Sequence, residues 1–142
     1  MEKLKDITFY TMDKAIRTYR NFAQKKLKEH GYKITIDQWL IIKAILENPG
    51  ISQQELGEKA FKDNASVTRI IELLVQSEYL ERQVNPNDRR KSDLTVTAEG
   101  RSIIAKVHSL VLENRKTALA GIAFGDLEIM NRTLKTIIKN CP

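Results

Sequence analysis

Between Leu80 and Gly100 the chain sets two short alternating runs around a cluster of turn formers, and no other stretch narrows the possible folds so far. Leu80, Arg82 and Val84 alternate with polar neighbours, as do Leu94 and Val96, which is the period-two pattern of half-buried strands. Between them lies Asn85-Pro86-Asn87-Asp88. Pro86 fixes its own φ, and Asn or Asp side chains bond nearby backbone, so the segment bends. The stretch therefore reads as a β-hairpin whose tip carries Arg89, Arg90 and Lys91 beside one acid, Asp88. Charge clusters on loops are commonly plain solvated surface, so the residues before the hairpin must decide what this one is for.

Those residues read as three short helices between 35 and 77. Thr35 with Gln38 fits a capping box, with Ile34 and Trp39 as its hydrophobic staple, and the helix stops at Asn48-Pro49-Gly50. For Trp39 a buried staple is a better reading than a ligand platform. Ser52 and Glu55 form a second box with Ile51 and Leu56 as staple, on a helix ending near Ala60. Phe61-Lys62-Asp63 turns the chain, and Asp63 caps a third helix that begins Asn64-Ala65-Ser66. At about 100° per residue, Val67, Ile70, Ile71 and Leu74 share a face that must be buried. The opposite face shows Ala65, Arg69, Glu72 and Gln76, flanked by Ser66 and Thr68. Three helices running straight into a hairpin is the order of a winged helix-turn-helix.

Longer helices flank this unit. In residues 3–30, Leu4, Ile7, Thr11, Ala15, Tyr19, Phe22 and Leu27 recur at helical spacing, and Gly31 is a natural stop. The aromatics Phe9, Tyr10, Tyr19 and Phe22 read as core. Thr97 is a good N-cap for a helix running from Ala98 to about Ala123, which Phe124-Gly125-Asp126 interrupts. A last helix carries Leu127, Met130, Leu134, Ile137 and Ile138 at clean spacing. Apolar stripes at both chain ends, outside the winged unit, call for a partner surface.

Composition limits the function classes. A chain of 142 residues reads as one domain with its own core. A net charge of +6 and a pI near 9.5 favour a polyanionic partner without requiring one. No apolar run approaches the ~20 residues that span a bilayer, and the N-terminus lacks the apolar core of a secretory signal. Cys141 stands alone, so no internal disulfide is expected and the cytoplasm is the simplest location. His30 and His108 are far apart, no metal-ligand spacing occurs, and there is no Gly-rich phosphate loop. Neither an enzyme nor a bound cofactor is expected.

The third helix then takes on chemical meaning. Small and hydroxyl residues near a helix N-terminus allow close approach to DNA, can donate to phosphates or base edges, and leave backbone N–H groups facing anions. Arg69, one turn in, has the forked donors that match guanine O6 and N7. An ordinary amphipathic helix with a polar outer face explains the same residues equally well. The adjacent basic hairpin tips the balance.

The run from Asp88 to Gly100 resembles the wing signature of MarR-family transcriptional regulators, Asp-x-Arg followed by Leu-Thr-x-x-Gly, with Val96 in place of the usual Leu. Thr35 to Trp39, the Pro49-Gly50 turn, Gln54-Glu55-Leu56 and Val67-Thr68-Arg69 also fall where that family places its equivalents. The likeness covers essentially the whole chain. One departure is Ser77-Glu78, where the family commonly has a glycine before the first wing strand. The resemblance implies a mostly α fold with a small β-hairpin wing: 35–97 as the DNA-binding module, 3–30 and 98–140 as homodimerisation helices. It implies that Arg90 enters a minor groove, with Asp88 pairing to it and holding its direction; a narrow A·T-rich groove concentrates the negative potential such an arginine reads. Arg89 and Lys91 would touch phosphates. With Asn64, Ala65, Ser66, Thr68 and Arg69, these form the expected contact set on a pseudo-palindromic double-stranded operator. The resemblance further implies a repressor modulated by a small aromatic or anionic effector bound between module and dimer helices, with Arg17, Tyr19 and Trp39 as candidates. The rival expectation is a winged helix that docks protein and never touches DNA. Cys141, if the terminal helices pair, could cross-link two copies on oxidation.

Overall fold

The computed structural model describes residues 1–88 and 93–142 in full; residues 89–92 enter only through the bounds of the strand that contains them. A 3-10 turn, Leu4–Asp6, leads into α1 (Thr8–Glu29), α2 (Ile36–Glu47), α3 (Gln53–Ala60) and α4 (Asn64–Gln76). Strands β1 (Leu80–Asn85) and β2 (Asp88–Val96) follow, then α5 (Ala98–Ala118) and α6 (Phe124–Asn140). No helix among the described residues is long and apolar enough to cross a membrane.

Local chemistry explains most boundaries. At Thr35 both halves of the capping box form: Gln38 N donates to Thr35 Oγ1 at 3.1 Å, and Thr35 N to Gln38 Oε1 at 3.0 Å. At Ser52 only the first half forms. Glu55 N donates to Ser52 Oγ at 3.1 Å, but the Glu55 carboxylate takes the Ser52 hydroxyl instead of the backbone N–H. Two expected bounds move. The first helix breaks at Ile7, whose extended backbone separates the 3-10 turn from α1. The chain also turns earlier than expected after α5, at Leu119 to Ala123, where Gly121 adopts φ +81°. Phe124-Gly125-Asp126 is therefore the first turn of α6 and no interruption; Asp126 sits where a helix dipole favours an acid.

The core lies where α2, α3 and α4 meet. Ile41, Ile42, Leu56, Val67, Ile71 and Leu74 are all fully buried there, joined by Ile34, Leu80 and, from α5, Val107. Each such aliphatic side chain stabilises the fold by about 1.5–3 kcal/mol through removal from water. Only the C-terminal half of α1 joins, through Ala23 and Leu27. The expected core role of the α1 aromatics consequently fails at the near end: Phe9 and Tyr10 are exposed, because the helix surface there has nothing over it, while Tyr19 and Phe22 are half-buried.

The hairpin is antiparallel, with Leu80 opposite Val96 and Arg82 opposite Leu94. Its turn is the two residues Pro86-Asn87, shorter than the sequence suggests, and Asn87 N donates to Asn85 Oδ1 at 2.8 Å in an Asx turn. Alternation sorts residues only at the base. Leu80 and Val96 are buried and Leu94 is partly so, but Val84 is 63% exposed, because the outer hairpin projects past the body.

The Thr97-x-x-Gly100 element ties the wing to that body. The Thr97 hydroxyl donates to Glu78 O at 2.6 Å and accepts Gly100 N at 3.0 Å, while Thr97 N reaches Tyr79 O at 3.1 Å. A Cβ on Gly100 would be driven into the Tyr79 carbonyl and Val96, which is why only glycine fits. Glu78 itself holds φ +64°, the left-handed conformation that glycine takes easily.

Candidate nucleic-acid interface and adjoining cavity

The helix expected to read DNA is α4, and its start is fixed by Asp63. That carboxylate accepts Ser66 N at 2.8 Å, and its bonds to Ser66 hold its pKa below the ordinary value. A depressed carboxylate adds stability above its unfolded pKa, and the contribution fades as pH falls through the lower folded value. Asn64, Ala65 and Arg69 are exposed, and Ser66 and Thr68 are half-buried, so the structure brings these five predicted residues onto one turn and a half of a single outer face. The opposite face holds Val67, Ile71 and Leu74 in the core.

Sequence reasoning missed Gln53, the first residue of α3. Its side chain crosses from α3 to α4. Nε2 donates to Asn64 Oδ1 at 2.9 Å and to Thr68 Oγ1 at 2.7 Å. The Thr68 hydroxyl in turn donates to the Asn64 backbone carbonyl at 2.9 Å. The only available signal was polarity at a first-turn helix position, which is too common to select a residue.

On the hairpin, Asp88 is half-buried at the start of β2. Arg89, Arg90 and Lys91 lie outside the described residues, and with them the expected Asp88–Arg90 pairing.

The expected effector residues divide. Tyr19 and Trp39 line a cavity of about 210 Å³ between α1, α2 and α5. Trp39 is thus a half-buried wall residue rather than a closed staple. Arg17 is not there. It is exposed and held by Asp13 one turn back at 2.9 Å, because its position on α1 faces away from α5. Arg20 and Arg115 line the cavity instead, with Asn114, which is 4% exposed. Arg20 also bonds Asp37 at 2.6 Å, and Asp37 meets Lys62 at 3.3 Å. One carboxylate therefore joins α1, α2 and the turn before α4.

Comparison with known proteins fits this geometry. The MarR family profile matches residues 34–92, the stretch from the α2 cap into the wing. Over that stretch the chain is similar to the MarR family. The chain is 32% identical over 92 residues to the HTH-type transcriptional regulator BilQ of Clostridium symbiosum; the matched stretch is 65% of this chain and 62% of BilQ, so less than two thirds of that relative is spanned. Among solved structures, BpsR of Bordetella bronchiseptica, whose DNA binding is regulated by 6-hydroxynicotinic acid, superposes with a TM-score of 0.86 at 18% identity, covering 96% of each chain. A mutant MarR from E. coli complexed with operator DNA superposes with a TM-score of 0.81 at 22% identity, over 89% of this chain and 90% of that one. At those identities the likeness is one of fold. The chain has the winged-helix fold of these proteins.

Proposed function

We propose that the chain is a homodimeric, sequence-specific, double-stranded DNA-binding repressor of the cytoplasm whose grip on its operator is altered by a small effector. One observation carries the DNA reading. Asn64, Ala65, Ser66, Thr68 and Arg69 stand together on the solvent face of a helix whose other face is fully buried, immediately before the hairpin. In this reading α4 enters a major groove, and Arg90, directed by Asp88, enters the neighbouring minor groove, with Arg89 and Lys91 on phosphates. The dimer forms through the exposed apolar faces of α1, α5 and α6 and spaces two copies of α4 about one DNA turn apart, roughly 34–36 Å.

The cavity lined by Tyr19, Trp39, Arg20, Asn114 and Arg115 takes the effector, an aromatic or anionic compound. Two cations and the Asn114 amide on a largely apolar wall suit a flat acid. A bound anion that draws Arg20 from Asp37 leaves that carboxylate to Lys62 alone, the residue next to the α4 cap, and tightens their pairing. It acts only to the extent that it binds the two arrangements unequally.

The test is fluorescence anisotropy with DNA from upstream of the protein's own gene, across a salt series. A steep salt slope and binding to one site that resists nonspecific competitor are expected. Indifference to every duplex, even in dilute buffer, overturns the reading in favour of a protein-docking winged helix.

A further inference from the structure

We propose that Gln53, which lies on α3 and not on the recognition helix, sets which base edges the first turn of α4 can read. This rests on the DNA-reading function proposed above. The side-chain nitrogen of Gln53 carries two hydrogens, and both are committed, one to Asn64 Oδ1 at 2.9 Å and one to Thr68 Oγ1 at 2.7 Å. The Thr68 hydroxyl hydrogen goes to the Asn64 main-chain carbonyl at 2.9 Å. Turning the Gln53 amide over would set its oxygen against two oxygens. Asn64 could turn with it, but Thr68 would then have to abandon the backbone carbonyl to supply a hydrogen. The observed arrangement satisfies all three bonds at once.

Its consequence is a fixed polarity. Gln53 takes one of the two lone pairs of Asn64 Oδ1 and holds that oxygen toward α3, which leaves the NH₂ group as the side chain's freer end. Thr68 can no longer donate and presents its methyl group and at most one lone pair. Arg69 adds further donors. The first turn and a half of α4 is thus a donor surface, suited to the acceptors N7 and O6 of guanine or N7 of adenine. The usual asparagine–adenine pairing, which needs the asparagine oxygen for N6–H and its nitrogen for N7, would have to share that oxygen with Gln53 and is disfavoured. Amino groups of cytosine or adenine opposite Asn64 would meet another donor.

Gln53→Glu reverses this polarity. A carboxylate has no hydrogens, so Asn64 must turn its NH₂ inward and Thr68 must rotate to donate. Asn64 Oδ1 then faces outward as an acceptor. The experiment selects bound sequences from a randomised duplex pool with the full-length wild type, Gln53→Glu and Gln53→Met, and measures affinity for selected sites carrying 7-deazapurines one position at a time. In the wild type one purine per half-site is expected to lose about tenfold in affinity when its N7 is replaced by carbon. Gln53→Glu should select a different base there, with an amino group toward the major groove, and become indifferent to the 7-deaza change. Gln53→Met should lose preference at that position alone. The proposal is overturned if Gln53→Glu selects the wild-type base at every position with uniformly lower affinity. The wild-type 7-deaza scan needs no variant, and finding no sensitive purine overturns the proposal even if both substitutions prevent folding. A wild-type protein that enriches no sequence at all is a separate outcome; it removes the DNA reading itself, and this inference with it.

Discussion

Helices α4 and α6 carry the same kind of pattern and meet opposite fates. Along α4, Val67, Ile71 and Leu74 repeat at helical spacing and all three are fully buried. Along α6, Phe124, Met130 and Ile138 stand in an equally apolar stripe, yet their exposures are 76%, 45% and 72%, and the helix buries none of its residues. Amphipathicity tells a helix to cover one face, not what will cover it. For α4 the cover is α2, α3 and the hairpin base. For α6 no cover is found among the described residues, and contiguous exposed apolar surface marks an interaction site. In the proposed dimer a second copy would supply a matching surface from its own α1, α5 and α6, in the twofold arrangement that self-complementary faces favour.

The sharpest way to break this contrast is to cut the same apolar pattern in both helices. Ile71→Ala should cost about 2–5 kcal/mol of folding stability, because it leaves a cavity where α2, α3 and α4 meet. Urea denaturation at fixed protein concentration measures it. The matched change on α6, Met130→Asp with Ile138→Asp, should leave the far-UV spectrum and a soluble protein intact while converting dimer to monomer in sedimentation velocity. Operator affinity should fall by more than a hundredfold, since a monomer binds one half-site at a time. If that variant sediments like wild type, α6 is not the dimer surface.

How legible these regions were follows from the same physics. The capping residues Thr35, Ser52, Asp63 and Thr97 act within three or four residues of themselves, so the sequence shows them directly, and all four accept the expected backbone N–H. The buried stripe of α4 was readable for the same reason. What failed depended on contacts across long separations. Periodicity could not say that α5 covers α1 near Ala23 but not near Phe9. Nor could it tell Arg17 from Arg20, three residues apart, one tied to Asp13 and the other on the cavity wall. Gln53 was invisible because its role exists only once α3 and α4 cross. Val84 alternated correctly, but alternation cannot report how far a hairpin projects.

The polar face of α4 and the wing sharpen the comparison from the other side, because changes there should leave the fold alone. Arg90→Ala should weaken operator binding strongly while dimer mass and thermal melting stay near wild type. Arg69→Ala should cost roughly 1–3 kcal/mol if it contacts a base, and should relax preference at one position per half-site. A uniform loss on all sequences would make Arg69 a phosphate contact. Either substitution that melts the protein would show that the outer face of α4, or the wing, carries structure after all.

The smallest expected effect lies where the two regions end their helices. After α5 the left-handed residue is Gly121 at φ +81°, at no steric cost; after α4 it is Glu78 at φ +64°. A side chain in that conformation costs about 1–2 kcal/mol, and Glu78 is exposed, so burial offsets little of it. Glu78→Gly removes the strain but raises the entropy of the unfolded chain, which takes back about 0.4–1 kcal/mol. The net gain should be about 0.5 kcal/mol, a rise of roughly 1–3 °C in Tm. The Glu78 carbonyl that accepts the Thr97 hydroxyl belongs to the backbone and survives the change. Glu78→Ala is the control, since alanine keeps the Cβ and its strain and should gain nothing. Equal Tm shifts for the two variants would mean that the side chain, and not the backbone angle, limits stability at the entry to the wing.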